Sequence, residues 1–515
     1  MFKLLSDTFI INEIIDSNTS EALLESEIPI SDDMPNIEKL ISTEGKIKIN
    51  SVDLDTNKAT INGDLVYNII YRSNDEEMSV CSMSGRIPFK EEIQVNGAKE
   101  NMENEVNSYI DYIDSDLISE RIFKIKAVAN LDIDVINKHP VDFISSLESD
   151  GSFQAKSKNI VYTDVVSQSS EDINVSDAVE LNKSSNEIAK ILKADADVYI
   201  TNIDIMNERM LVEGIFKVGF LYTLSNNLSS TGYTSEEFPF THYIELKNSN
   251  ENMIRDLNIV LNDITYNIEE NYDSEHKIIS FNANFTIEAK LYGTVEKNII
   301  TDGYSTESQI EISSAKVNLV STKNIKDTAI KYENNFDVVT GTIKDIYSID
   351  ISPKVSEKRV VDNKYIIDGF LDANLLYLNG DVNKIDRAYA SMPFTATIEL
   401  NDSDKKCDII SDIKICKCNA YRKGNNSVNA NCEIKIVMKL KSTDEVSIIS
   451  NISEVCPLDY NKMPSLIFRV VQQGETIWDI AKNYNVSINY IKDLNELSND
   501  EALTPGSKII IARKV

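Results

Sequence analysis

The residues from which this chain could build chemistry are few. Its three histidines, His139, His242 and His276, stand far apart, and none falls in an HExxH pattern. The chain has no Gly-x-Ser-x-Gly elbow, phosphate-cradling loop or dinucleotide fingerprint. A pair of acids for glycoside cleavage could be drawn on paper from the abundant Asp and Glu, but carboxylates spread along the whole chain describe a solvated charged surface. Six cysteines, Cys81, Cys407, Cys416, Cys418, Cys432 and Cys456, lack the dense spacing of a disulfide framework. Cys416 and Cys418 lie two apart on a predicted strand and so share a face, as two metal ligands would. With no second close pair and no neighbouring His they read as buried apolar thiols. The expectation is therefore a protein that is not an enzyme, without cofactor or metal, whose chemistry is recognition. That chemistry concentrates at Trp478, the one tryptophan, whose ring suits stacking on a sugar or anchoring a protein interface.

The elements that must position Trp478 lie between Leu466 and Val515. A short apolar strand around Phe468 and Val470 leads through a glycine turn into a helix that Thr476 or Glu475 could cap. Ile477, Ile480, Ala481 and Tyr484 recur at helical spacing. Ser487 is the candidate cap of a second helix carrying Ile488, Ile491, Leu494 and Asn495 on one face. Pro505 and Gly506 turn the chain into a closing strand, Lys508 to Ala512. The order is strand, helix, helix, strand.

This stretch, VVQQGETIWDIAKNYNVSINYIKDLNEL followed by LTPGSKIIIA, resembles a LysM domain. Gly474, Glu475, Thr476, Ile477, Trp478, Ile480, Ala481, Val486, Ser487, Asn495, Leu503, Pro505 and Gly506 stand where that family's pattern wants them. The resemblance implies binding of N-acetylglucosamine glycans such as peptidoglycan or chitin. The groove would lie between the loop Gly474 to Trp478 and the loop from about Leu497 to Pro505. The partner- or glycan-binding candidates are Gly474, Glu475, Thr476, Ile477, Trp478, Tyr490, Asn495 and Pro505.

Charge sets limits on partners. There are 83 acids against 52 bases, a formal net charge of -31, which argues against nucleic acid, since phosphate binding needs a basic footprint. From Leu466 onward six bases balance six acids, so the whole surplus belongs to the preceding residues. No run of eighteen apolar residues is present, hence no predicted membrane-spanning helix. The first residues, MFKLLSDTFIINEIIDSN, carry Asp7, Asn12 and Glu13 where an export signal needs an apolar core. The expected location is the cytoplasm.

Upstream of the tail the chain repeats itself. INGDLVYNIIY, VEGIFKVGFLY and IDGFLDANLLY each place a glycine eight residues before a tyrosine: Gly63 and Tyr71, Gly214 and Tyr222, Gly369 and Tyr377. Pro88-Phe89, Pro239-Phe240 and Pro393-Phe394 follow at 17, 17 and 16 residues, and Ile37, Ile188 and Ile343 open segments 26 residues before each glycine. Apolar residues alternate within each copy, as in Phe281, Ala283, Phe285, Ile287, Ala289 and Leu291, which predicts half-buried strands. The fold class is mainly β: three tandem β-sandwich-like repeats, at 1–140, 159–295 and 312–455, a linker at 456–465, and the small βααβ domain at 466–515. The polar stretches 137–158 and 296–311 are expected to separate the repeats. The repeated glycines mark bulges or close backbone approaches, and the tyrosines are core or sheet-end aromatics.

The three copies, through their glycine–tyrosine segments and Pro-Phe anchors, resemble the DUF3794 or SPOCS family of spore-forming Firmicutes. Tandem copies joined to one LysM domain resemble the clostridial spore-envelope morphogenetic proteins. That resemblance implies a mother-cell location at the forespore surface and a LysM domain that engages the coat morphogenetic ATPase. The function expected is a non-enzymatic spore coat scaffold or adaptor. The alternative is a peptidoglycan-binding protein of the cortex or wall.

Overall fold

Eighteen long strands precede the tail in the computed structural model, which describes residues 3–75, 79–148, 152–497 and 503–512. The alternation read from the sequence is what buries them. Phe281, Phe285, Ile287 and Leu291, and likewise Ile434, Ile436, Met438 and Leu440, point into a core while their neighbours face outward.

Each repeat uses six strands in one pattern. In the first, β2 (Ile37–Asp55), β3 (Lys58–Ser73) and β4 (Val80–Gln94) form an antiparallel meander, while β1 (Lys3–Pro29) and β5 (Glu103–Ser119) flank β6 (Ile122–Glu148). The second repeats this with β7 (Phe153–Glu180), β8 (Ile188–Met206), β9 (Arg209–Leu224), β10 (Asn227–Glu245), β11 (Ile254–Glu270) and β12 (His276–Ser305). The third does so with β13 (Ser308–Asp337), β14 (Ile343–Val361), β15 (Lys364–Asn379), β16 (Lys384–Glu399), β17 (Asp408–Arg422) and β18 (Ser427–Pro457). The two three-stranded sheets of each repeat face one another across a shared core, as a sandwich requires.

The recurring glycine and Pro-Phe pair prove to be one device. Gly63, Gly214 and Gly369 lie on the central meander strand, with Phe89, Phe240 and Phe394 directly across from them. On the other side, each glycine faces a position next to a bulge in the neighbouring strand. A methyl at Gly63 would lie 2.7 Å from Lys48 O and 2.7 Å from the Phe89 ring, and one at Gly214 would lie 2.6 Å from Tyr199 O. At Gly369 the same methyl would overlap Lys354 O. Only a residue without Cβ lets the bulged backbone and the ring close over it. Gly369→Ala is accordingly expected to lower stability by about 1–3 kcal/mol in denaturant melts. Gly424→Ala, where the nearest atom is 3.7 Å away, should change it little.

The stretches expected to separate the repeats are instead strand. β6 runs to Glu148 and β7 starts at Phe153; β12 runs to Ser305 and β13 starts at Ser308. The polar residues there alternate with Val141, Phe143 and Ile299, which join a cluster drawn from all three repeats. The ends of the β1–β6, β7–β12 and β13–β18 ribbons thus build a common core of Phe9, Phe143, Ile160, Tyr162, Leu319 and Ile448. Phe9 stacks on Phe143 at 4.3 Å and meets Tyr162 edge-on at 5.6 Å. A second shared core, with Ile41, Ile70, Leu192, Leu221, Tyr347 and Leu376, joins the three meanders. Equivalent strands of the three repeats therefore surround one axis.

Candidate functional site

The tail forms the expected strand, two helices and strand: β19 (Leu466–Val470), α1 (Ile477–Tyr484), α2 (Ile488–Leu494) and β20 (Lys508–Ala512), with β19 antiparallel to β20. In its first strand Phe468 and Val470 are exposed and Ile467 packs inward, on the same side as Arg469, whose side chain holds the next loop.

That loop is fixed by polar contacts. Arg469 pairs with Glu475 at 2.5 Å, which holds the Glu475 carboxyl below its usual range. The Glu475 carboxylate also accepts from Gln472 N at 3.0 Å. Thr476 caps α1: its hydroxyl oxygen accepts from Asp479 N at 3.2 Å, and the Asp479 carboxylate accepts from Thr476 N at 3.0 Å. Ser487 occupies the cap position of α2 without a side-chain hydrogen bond. Asn495 closes the domain, donating to Ile491 O and Ile510 O and accepting from Ile510 N at 2.6 Å. Glu475, Thr476 and Asn495 thus hold the fold.

Trp478 faces the second repeat. Its Nε1 donates to Asp302 Oδ2 at 2.8 Å, and Lys482 Nζ reaches Asp302 Oδ1 at 2.6 Å. Tyr304 meets the indole edge-on at 5.3 Å and donates its hydroxyl to Val486 O at 2.8 Å. Asn485 donates to Ser305 O at 2.9 Å. Residues 478, 482 and 485 form one stripe of α1 and its cap, so a single face meets the end of β12. Burial works against the Asp302 charge, but hydrogen bonds from Lys482 and Trp478 outweigh it and keep the carboxyl below its usual range. Asp302, Tyr304 and Ser305 were hidden from sequence reasoning because they lie in a polar stretch that reads as a separator.

Gly474, Thr476 and Pro505 remain exposed on the outer side. Gly474 takes φ +81°, with open space where a Cβ would point. Ile477 and Tyr490 are half-buried against the domain core. Residues 498–502, most of the second groove loop, lie outside the described residues.

The other candidate chemistry is structural. His242 Nε2 lies 2.7 Å from Glu171 Oε2, tying β10 to β7. A bulge at Cys416 interrupts the alternation that would set it beside Cys418 on one face. Cys418 lies opposite Cys432, and burial pushes its thiol up to about 12. Among the described residues no three His, Cys, Asp or Glu side chains are placed to hold a metal ion, and no helix is long and apolar enough to cross a membrane.

Comparison with known families agrees with this division. A model described as SipL, SPOCS domain matches residues 36–118, 187–269 and 342–421, and a LysM domain model matches 470–512. Each SPOCS match spans four strands of a repeat, β2–β5, β8–β11 and β14–β17, and leaves out the ribbon that joins the repeats. No curated protein and no solved structure matches the chain.

Proposed function

The chain carries three SPOCS domains of the SipL family and a LysM domain, and from that premise we propose that it is a non-enzymatic adaptor of spore coat assembly. It works in the mother cell at the forespore surface and grips the coat morphogenetic ATPase through its LysM domain. The observation that carries this reading is the seat of the LysM domain. Asp302 receives both Trp478 and Lys482, so whatever the outer LysM face holds is coupled to a body of three fused sandwiches. An adaptor needs such a mount, because a module on a slack tether transmits position poorly. Both SPOCS and LysM are binding modules, which suits assembly without catalysis.

A glycan reading has one observation in its favour: Gly474, Thr476 and Pro505, which flank the groove of a LysM domain, stay exposed. Capture assays with the full chain separate the two. Immobilised protein is expected to retain the purified coat morphogenetic ATPase and not to pellet with purified peptidoglycan. Trp478→Ala and Asp302→Ala should both weaken ATPase capture, because each removes one side of the contact that fixes the mount. Strong pelleting with glycan and no ATPase retention would replace the adaptor by the wall-binding alternative. If Asp302→Ala leaves capture intact while Trp478→Ala abolishes it, the indole itself meets the partner and the mount is dispensable.

A further inference from the structure

Where the three sandwiches meet they enclose a cavity of about 1200 Å³ to which every repeat contributes. Its wall is rich in tyrosine, since eight of the 22 tyrosines line it, while its carboxylates outnumber its lysines and arginine eight to five, the same proportion as in the whole chain. Tyr112, Tyr389 and Tyr421 remain more than half exposed, so the cavity is wet and open to solutes.

Three of these acids occupy one position of the repeat. Glu44, Asp195 and Asp350 each fall seven residues after the isoleucine that opens their strand, Ile37, Ile188 or Ile343. The strands β2, β8 and β14 bring all three to the cavity wall. Only the second repeat supplies a counter-charge, Lys193, where the others have Ser42 and Ser348. Lys193 Nζ lies 2.6 Å from Glu44 Oε1 and 3.1 Å from Asp195 Oδ2. Asp350 is exposed to the cavity and has no hydrogen-bond or ion-pair partner among the described residues, and partial desolvation beside the wall, then the charge of Glu44, pushes its carboxyl up. An exposed carboxylate on a cavity wall, with no partner of its own, is open to a cation that enters the cavity.

Towards the solvent, tyrosines and carboxylates come in pairs. Tyr112 donates to Asp114 Oδ2 at 3.2 Å, and Tyr199 to Asp197 Oδ2 at 3.2 Å. A ring face beside a carboxylate attracts an ammonium group twice, through the quadrupole and through the charge. We propose that this axial cavity binds a small aliphatic polyamine. One ammonium is taken by Asp350 beside the Glu44–Lys193–Asp195 cluster, and the others by the tyrosine–carboxylate pairs nearer the mouth. The spread of the acids along the wall suits a chain of separated charges. A divalent ion needs several ligands at one point, and at the axis Lys193 already sits between Glu44 and Asp195.

Titration of the full-length chain with spermidine in a calorimeter at physiological salt tests the assignment. A saturable site is expected, about tenfold weaker in Asp350→Asn and similarly weakened in Asp197→Asn. Asp273→Asn, an exposed acid outside the cavity, should bind as the parent does. Asparagine keeps the shape of both cavity residues, and an unchanged melting temperature without ligand confirms that each variant is folded. Absence of saturable heat overturns the proposal. An equal loss in Asp273→Asn overturns it too, since that is attraction to an acidic protein as a whole. Full displacement of spermidine by magnesium at equal charge concentration would make the site one for metal ions and would likewise overturn it.

Discussion

Lys193→Met is expected to destabilise the folded chain by about 3–5 kcal/mol near pH 7.5, because it strands carboxylates that one ammonium now serves. Lys193 is 6% exposed and bonds to Glu44 and Asp195. Burial opposes its charge, yet Glu44 and Asp195 hold the ammonium well above the usual lysine range. Asp195 shifts the other way for its own charge: burial pushes its carboxyl up to about 6 against the pull of Lys193, with Glu44 and Asp350 adding repulsion. The two shifts describe one cluster, in which the ammonium gains from three carboxylates while each carboxylate is crowded by two others.

The sign of the pH dependence follows. A carboxyl whose folded pKa lies above its unfolded value of 3.8 binds more protons folded than unfolded between that value and about 6. Its ionisation therefore costs stability above pH 6, and the cost fades as pH falls towards 4. Removing Lys193 takes away the pull that opposes the rise of the Asp195 carboxyl, so the deficit of Lys193→Met should be largest at pH 7.5 and clearly smaller at pH 5. Denaturant midpoints of parent and variant at the two values measure it. Equal deficits at both would show that Lys193 acts through packing of its stem and not through its charge.

Phe9→Ala is the second large effect, with an expected loss of about 3–5 kcal/mol. Phe9 is fully buried, lies on the first strand, and packs on Phe143 of its own repeat and Tyr162 of the next. The cavity it leaves would open a core shared by three repeats, so the damage should not stay local. Amide exchange is expected to speed up in the outer halves of β12 and β18 as well as in β1 and β6. Faster exchange in β1 and β6 alone would mean that the ribbons unfold independently and that the three repeats are not one cooperative body.

Local pattern reached far into this molecule. The period-two runs, the glycine that lies under a phenylalanine, the buried tyrosines and the βααβ tail are set by neighbours within one repeat. A single stretch of sequence therefore contains both sides of each contact. Thr476 as a cap and the Gly474 turn were legible for the same reason. The facing of β19 was not, since Phe468 and Arg469 suit either side of so short a strand.

Composition, repeat spacing and alternation determined by themselves a mainly β chain of three like sandwiches and a small βααβ domain, because those features depend on contacts inside a unit. Only the tertiary structure decided what lies between units. It made the polar stretches 137–148 and 296–305 into strand, set Trp478 on Asp302, and brought Glu44, Asp195 and Asp350 to one axis around Lys193. Side chains hundreds of residues apart supply the partners there, and neither a burial pattern nor a charge count within one segment carries the address of a partner in another.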